Sequence, residues 1–396
     1  MDEAHALRFL AQDLTAEQRR ELLSPAPDPD PLRAVERLRR EHPEWSAAFA
    51  SAVASQRELR QRARKAGSVP GDPWLLTRTG LEQSTRPEVA ARRAGLLAAA
   101  GVASVVDLTA GLGGDAWACS QAGLNVVAIE RDPLTAELCQ ANVPAATVLC
   151  ADATTVDPPN LPALPEPICW LIDPARRGSP LPADGSRAMP ERDPQRWSPP
   201  WSFIEHLRST HEWVAAKAPG AFTPPPQWSA EWVGVSDYVA ECAVYSVPNT
   251  PLAQPRQATL LTEDASMSPI TYPVTDQPAP FGPLETFIGE PHPVFHRALP
   301  ALCTGGVHRV SATSTWLTSP NASTPGVRWF TVLATGSAKQ LRKTALQAGI
   351  DAVAVKSQES KVPLSQWRSR IKLPDSNRYA LIVARGLEHA ILAERL

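Results

Sequence analysis

The chain lacks a dominant charge sign. Lys and Arg number 39 against 41 Asp and Glu, a formal net charge of −2, so no global field draws it to nucleic acid or membrane and any such attraction must be local. It lacks paired cysteines: Cys119, Cys139, Cys150, Cys169, Cys242 and Cys303 are scattered and form no C-x-x-C. That spacing argues against a zinc site or a disulfide framework, and most of these thiols stand in apolar segments where they act as small hydrophobes. It also lacks an apolar run of the ~18 residues a membrane helix requires. The first residues, MDEAHALRFL, carry acids where a leader peptide carries bases, so the expected location is cytoplasmic. No internal repeat is visible.

Proline, by contrast, is abundant. The 41 prolines are about twice the usual share, and they cluster between elements in SPAPDPDP, DPPNLPALPEP and TPPP. These read as stiffened loops. A length of 396 residues exceeds one ordinary domain and suits two with an additional helical piece.

Three segments follow from the patterning. Residues 1–73 read as helical: Thr15 and Glu17 suit a helix start, and the stretch from Asp30 places Leu32, Val35 and Leu38 at helical spacing until Gly67 and Pro70 close it. Arg33, Arg37, Arg39, Arg40, Arg57, Arg60, Arg62, Arg64 and Lys65 outnumber the neighbouring acids. They form either a solvated face or a basic arm for phosphate. Residues 74–280 alternate strand and helix. SVVDLT, NVVAIE, ATVLCA, ICWLID and EWVAAK predict a doubly wound parallel sheet, α/β in class. YVAECAVYS and QATLLT, with no convincing helix between them, are expected to close it as an antiparallel hairpin. Residues 281–396 alternate short strands and short helices and predict a small α+β domain.

What is missing from the stretch DLTAGLGGDA decides its ligand. Gly111 and Gly113 follow a buried strand and precede a helix, which brings backbone N–H groups against a nucleotide. A dinucleotide fold wants G-x-G-x-x-G, and Ala116 occupies the place of the third glycine. Asp107, at the strand end, would repel a pyrophosphate and instead suits a ligand with an amino group and a sulfonium, S-adenosylmethionine. Glu130, ending the second strand, is placed to accept from ribose hydroxyls. Asp152, after the third strand, could accept from an adenine amine. Thr109, Asp115, Arg131 and Ala153 flank these acids and complete the expected cofactor edge, where ligands bind in open α/β sheets. A dehydrogenase reading gives way to a methyltransferase.

The fourth strand runs into IDPARRG. Enzymes that methylate exocyclic base amines usually carry an aromatic two residues after Asp-Pro, to stack on the flipped base. This chain has Ala175 and Arg176 after Asp173 and Pro174. Arg176 and Arg177 could bind phosphate or stack on a base as planar cations, or Arg176 could pair with Asp173, Asp184 or Glu191. No cysteine follows Asp173 in this loop, which argues against covalent base methylation.

LEQSTRPEVAARRA, DLTAGLGGDA, IDPARRG, WVAAKAPG and GEPHPVFHRA together resemble the bacterial class I S-adenosylmethionine-dependent methyltransferases that carry a THUMP-like C-terminal domain. The resemblance spans most of the chain from Leu76. It implies a Rossmann-type core binding S-adenosylmethionine through Asp107, Gly111, Gly113, Glu130, Asp152 and Asp173, with Gln83, Thr85 and Arg86 capping the pocket. It likens the C-terminal domain to a module of RNA-modifying enzymes, with Lys356, Lys361, Arg368, Arg370 and Lys372 in a basic strand-helix segment. Here Ser186 interrupts the glycine-arginine pair expected after the Asp-Pro-Ala-Arg-Arg run, and residues 249–257 do not align.

The expected reaction is in-line displacement at the cofactor methyl, resting on proximity and orientation. Asp173 orients the nucleophile or accepts its proton, with Pro174 shaping the loop and Arg176 and Arg177 positioning an anionic substrate. RNA is the expected partner, held by the N-terminal helix and the C-terminal domain through phosphates. Two rivals stand beside this reading: methylation of a small molecule or protein, and a non-catalytic S-adenosylmethionine-binding protein. No metal is expected.

Overall fold

A computed structural model describes residues 3–11, 14–25, 30–70, 74–156, 161–176, 191–247, 252–262, 267–357 and 363–396. The chain divides into two compact units, 1–229 with 243–252 and 230–242 with 253–396.

The first unit begins with four helices: α1 (Glu3–Ala11), α2 (Ala16–Leu23), α3 (Pro31–Glu41) and α4 (Ala47–Ala66). Thr15 caps α2 reciprocally with Gln18, Asp30 caps α3 and Ser46 caps α4. The continuous helix expected from Asp30 to Gly67 is therefore two, because Pro43 cannot extend a helix and biases the residue before it away from helical geometry. Leu32, in the first turn of α3, is exposed, whereas Leu38 is buried. Gly67 ends α4 in the left-handed region at φ 59°. Two of the arginines of the expected basic arm are turned inward. Arg57 donates to the Glu21 carbonyl at 2.7 Å and pairs with its carboxylate, and Arg60 donates to the Leu22 carbonyl. They satisfy the orphan carbonyls at the end of α2 and present no face to phosphate.

After α5 (Arg78–Gln83) and α6 (Pro87–Ala99) comes the parallel sheet. Its elements are β1 (Ser104–Asp107), α7 (Gly114–Gln121), β2 (Asn125–Glu130), α8 (Pro133–Asn142), β3 (Thr147–Cys150), β4 (Ile168–Ile172), α9 (Trp201–Thr210) and β5 (Val214–Ala218). The strands lie in the order β3-β2-β1-β4-β5. Val106 of β1 pairs in parallel register with Val127 of β2 and Trp170 of β4. The near-continuous apolar runs of β1 and β2 suit strands covered on both faces. The order reverses between β1 and β4, and their carboxyl ends open the crevice at which such sheets bind ligands.

The second unit carries β6 (Ser229–Val235) and β7 (Tyr238–Ser246), except Ser229 and Ala243–Ser246, then β8 (Arg256–Leu261) and β9 (Ile270–Pro273). A closing hairpin is present, but its members differ from expectation. β7 neighbours β6 through the two-residue connection Ser236-Asp237, Ser236 at φ 52°. QATLL lies in β8, which runs parallel to β6 with Trp232 opposite Ala258 and antiparallel to β9. The proline-rich stretch before SAEWVGV masked β6 as loop.

A seven-stranded sheet follows, from β10 (Phe287–Pro291), α10 (Leu299–Leu302), β11 (His308–Arg309), β12 (Leu317–Ser319), β13 (Val327–Gly336), α11 (Ala338–Gln347), β14 (Ala354–Ser357), α12 (Leu364–Ile371), β15 (Tyr379–Val383) and β16 (Ala390–Arg395). Its order is β11-β12-β10-β13-β16-β15-β14, with β14 parallel to β15. α11 and α12 bury Leu341, Ala345 and Ile371 against Val355, Leu381 and Leu392. GEPHPVFHRA forms a packed corner: His292 caps the turn Pro293–Arg297, and Gly289 lies under Trp329, where a Cβ would come within 2.9 Å of the ring.

Candidate functional site

The loop between β1 and α7 is built on two glycines with different duties. Gly111 has φ 54° and Gly113 φ 94°, conformations that L side chains rarely adopt. A Cβ at Gly113 would lie 2.6 Å from Val143 and 3.0 Å from the Cys139 sulfur, so this glycine lets α7 seat against α8. A Cβ at Gly111 would meet nothing within 4 Å. Open space thus lies over backbone held in a turn, which is ground for a ligand. Asn142, buried, locks the loop from behind: it accepts from the Leu75 amide at 2.8 Å and donates to the carbonyls of Leu75 and Leu112 at 3.0 and 3.1 Å. Gln56 of α4 holds the adjoining Leu76 by both its amide and its carbonyl, at 2.8 and 2.6 Å.

Asp107 and Glu130 flank this loop. Asp107 ends β1 at 3% exposure and accepts from the Thr109 amide at 3.2 Å. Burial, and then the neighbouring Asp115 carboxylate, push its carboxyl up to about 7. Glu130 ends β2 and accepts from the Gly111 amide at 2.9 Å through one oxygen and from the Asp132 amide at 2.9 Å through the other. Each oxygen retains a second lone pair for a hydroxyl donor. Thr109 reaches across to β4, its hydroxyl accepting from the Asp173 amide at 2.6 Å.

Asp115, in the first turn of α7, is saturated from within. Its carboxylate pairs with Arg93, accepts from the Thr85 hydroxyl at 2.9 Å, and lies 3.1 Å from the Lys217 ammonium. Burial alone would raise this carboxyl; Arg93 and Lys217 outweigh it and hold it at about 2. Lys217 also donates to the Thr85 hydroxyl and lies 2.6 Å from Asp173. Arg176 reaches the other Asp173 oxygen at 3.5 Å, the pairing weighed for it from sequence. Pro174 is buried, and Ala175 bridges to Ser198 through two backbone hydrogen bonds. Arg177, Asp184, Ser186 and Lys361 lie outside the described residues.

Thr85, Asp107, Thr109, Asp115 and Asp173 are therefore gathered at one carboxyl edge, and Gly111 is tied to Glu130. The remaining expected residues have local partners. Asp152 is exposed and caps the turn at Ala153, accepting from the Thr154 amide at 2.8 Å and hydroxyl at 2.6 Å, which holds it below the usual carboxylate range. Arg131 is exposed, 3.4 Å from the Ser198 hydroxyl. Arg86 stands before α6 with its guanidinium 3.3 Å from Glu88, and Gln83 ends α5, exposed. Among the described residues no three His, Cys, Asp or Glu side chains converge on a metal position, and no helix is long and apolar enough to cross a membrane.

Three residues had no role from sequence: Lys217, Arg93 and Asn142. Lys217 sits in VAAKA, where a lysine near a strand end reads as surface. Arg93 had a signal: it stands four residues from both Val89 and Leu97, on the buried stripe of α6. Aromatics do gather in this unit, where Trp197 and Trp201 pack on Phe222 and Trp228 packs on Trp201. The three tryptophans are buried and offer no free face to a base.

No protein-family model matches the chain, and no curated protein matches it. Among solved structures, a candidate methyltransferase from Porphyromonas gingivalis W83 is similar at 19% identity, over 100% of this chain and 99% of that one, with a TM-score of 0.66. A candidate RNA methyltransferase from Pyrococcus horikoshii overlaps 40% of this chain and 72% of its own at 17% identity and a TM-score of 0.25. Magnesium protoporphyrin IX methyltransferase from Synechocystis PCC 6803, solved with SAM, overlaps 56% and 98% at 12% identity and a TM-score of 0.30. The first of these establishes the fold: the chain has the Rossmann-type methyltransferase architecture with a large mixed sheet.

Proposed function

We propose that the chain is a class I S-adenosylmethionine-dependent methyltransferase acting on RNA, with its C-terminal α+β region serving as a THUMP-like RNA-binding domain. The observation that carries the methyltransferase reading is the pairing of a buried acid, Asp107, with open space over Gly111 at the switch between β1 and β4. A buried carboxylate beside the glycine loop disfavours a pyrophosphate and favours a ligand bearing positive charge. Glu130 fits ribose hydroxyls through its remaining lone pairs, and the Gly111 turn fits close approach of the nucleoside. S-adenosylmethionine, when bound, supplies an electrophilic methyl on a sulfonium.

The chain's own residues do the rest. Asp173 is held by Lys217 on one oxygen and reached by Arg176 on the other. This favours a role in orienting a donor group of the substrate over one in removing a proton. Arg176, partly exposed beside Asp173, is placed for an anionic substrate.

The RNA reading is supported by charge in the second unit. α11 (AKQLRKTALQ) and α12 (LSQWRSRI) contain no acid and pack together. Lys339, Arg342, Lys343, Arg368, Arg370 and Lys372 are exposed there, and Arg368 pairs with Asp375 at 3.4 Å. On a chain with a net charge of −2, such a face is a local phosphate-binding patch.

The test is transfer of labelled methyl from S-adenosylmethionine to RNA extracted from cells deleted for the gene, followed by mass spectrometry of nucleosides. A single modified nucleoside is expected, absent with Asp173→Ala. Binding of NAD but not S-adenosylmethionine would overturn the cofactor assignment. Label appearing only in protein or small molecules would overturn the RNA assignment and leave the methyltransferase.

A further inference from the structure

Asp107 is buried and forms no ion pair among the described residues; its hydrogen bond comes from the Thr109 amide. Around it, α7 supplies the Asp115 carboxylate and the Cys119 thiol, α8 the Cys139 thiol, β2 Glu130, the end of β4 Asp173, and β5 Lys217. Burial pushes both thiols up, so they stay neutral. The cations are already engaged. Arg93 from α6 pairs with Asp115, and the Lys217 ammonium is shared by Thr85, Asp115 and Asp173. Asp107 thus stands beside the carboxylates of Asp115 and Asp173, with one nearby cation, Lys217, that is already paired with both. A buried carboxylate in that position must either hold a proton or receive a cation from outside.

We infer that Asp107 and the carboxylates beside it distinguish the methyl donor from its spent product by charge, Asp107 giving up a proton when the donor binds and taking one back when the product forms. This rests on the methyltransferase reading. In the reaction the electron pair of the C–S bond stays on sulfur, and the nucleophile's lone pair forms the new bond to carbon. The nucleophile's own proton passes to solvent. The donor, with its sulfonium, thereby becomes a thioether carrying one positive charge less. With that charge gone, Asp107 is again left facing Asp115 and Asp173, and a proton from solvent restores the balance. The carboxyl's position near pH 7, caused first by burial and then by Asp115, puts this exchange in the working range. The consequence is a site that holds the donor and loosens its grip on the product, which is the direction turnover requires.

The experiment is calorimetric titration of the full chain with S-adenosylmethionine and with S-adenosylhomocysteine, at about pH 5.5 and about pH 8, in two buffers of different ionisation heat. Donor binding, measured also at about pH 6.5, is expected to release about half a proton there, the most a one-unit linkage allows, and product binding to release less. The preference for donor over product should grow about tenfold between the two pH values, the size of a one-unit linkage. Asp107→Asn, which keeps the shape and mimics the protonated acid, should abolish the pH dependence. The wild-type proton count stands without the variant if the variant fails to fold. Donor binding with no proton release and an unchanged donor-to-product ratio would overturn the inference while leaving the methyltransferase intact. A pH dependence that survives Asp107→Asn would also overturn it. Failure to bind S-adenosylmethionine at either pH would overturn the reading on which it rests.

Discussion

The Lys217 ammonium lies 2.6 Å from the Asp173 carboxylate and 3.1 Å from that of Asp115, so one buried side chain joins the loop expected to face substrate to the helix that opens at the glycine turn. Lys217→Met removes the cation and leaves Asp115 and Asp173 with less compensation. Breaking a buried pair from one side costs about 3–5 kcal/mol. The measurement is the urea midpoint, and the double change Lys217→Met with Asp173→Asn should recover part of the loss, because it removes the stranded charge as well. A single variant as stable as the wild type would show that the pair contributes nothing net.

The two turn glycines should separate in their effects. Gly113→Ala drives a methyl into Val143 and Cys139 and should cost at least about 2 kcal/mol through overpacking and the left-handed backbone. Gly111→Ala meets open space and should cost about 1 kcal/mol for the backbone alone. Its larger effect should be on S-adenosylmethionine affinity, weakened at least about tenfold if the ligand lies there, as about 1.4 kcal/mol of steric conflict implies. Denaturation and calorimetry on both variants decide the matter.

Asn142→Ala deletes three buried hydrogen bonds and strands the Leu112 carbonyl. A stability loss of about 2–4 kcal/mol is expected, with faster amide exchange at the glycine loop. Unchanged exchange there would deny Asn142 its hold on the loop.

Stability should peak in mild acid if these two carboxyls dominate its pH dependence. Asp115, held at about 2 in the fold against 3.8 when unfolded, contributes stability above the unfolded value, which is lost as pH falls through about 2. Asp107 is raised from 3.8 to about 7, so the folded state binds the extra proton. Its contribution is full below the unfolded value and declines as pH rises through about 7, by up to about 4 kcal/mol. Urea midpoints from acid to neutral pH check both limbs, and Asp107→Asn should flatten the upper one only.

Charge reversal on the second unit tests the proposed RNA face. Arg342→Glu with Arg370→Glu should weaken RNA binding at low salt and reduce the slope of log affinity against log salt by about 2. The urea midpoint should hold, since both side chains are exposed. An unchanged slope would place RNA elsewhere or nowhere.

Much of the parallel sheet was legible because its strands are buried on both faces and read as apolar runs, VVD and VVAIE among them. The acids at their ends were legible for the same reason, since each interrupts such a run. Lys217 was not, because its meaning lies in Asp115 and Asp173, far away in sequence, and a lone lysine after VAA carries no local sign of that pairing. Arg93 was within reach: periodicity places it on the inner stripe of α6, where a guanidinium needs an acid. β6 and β16 escaped for different reasons, one behind a proline-rich loop and the other, AILAER, too short to separate from a helix turn by pattern alone.

The hold of Gln56 on Leu76, and of Asn142 on Leu75 and Leu112, bears on how this protein can be dissected. A chain cut just before Trp74 would retain every residue assigned to the site, yet it would leave the Leu76 amide and carbonyl with no side chain from α4 to receive them. The leading helices are therefore scaffolding for the glycine loop, and a shortened form made for crystallisation or screening should begin upstream of Ser46, not downstream of Pro70.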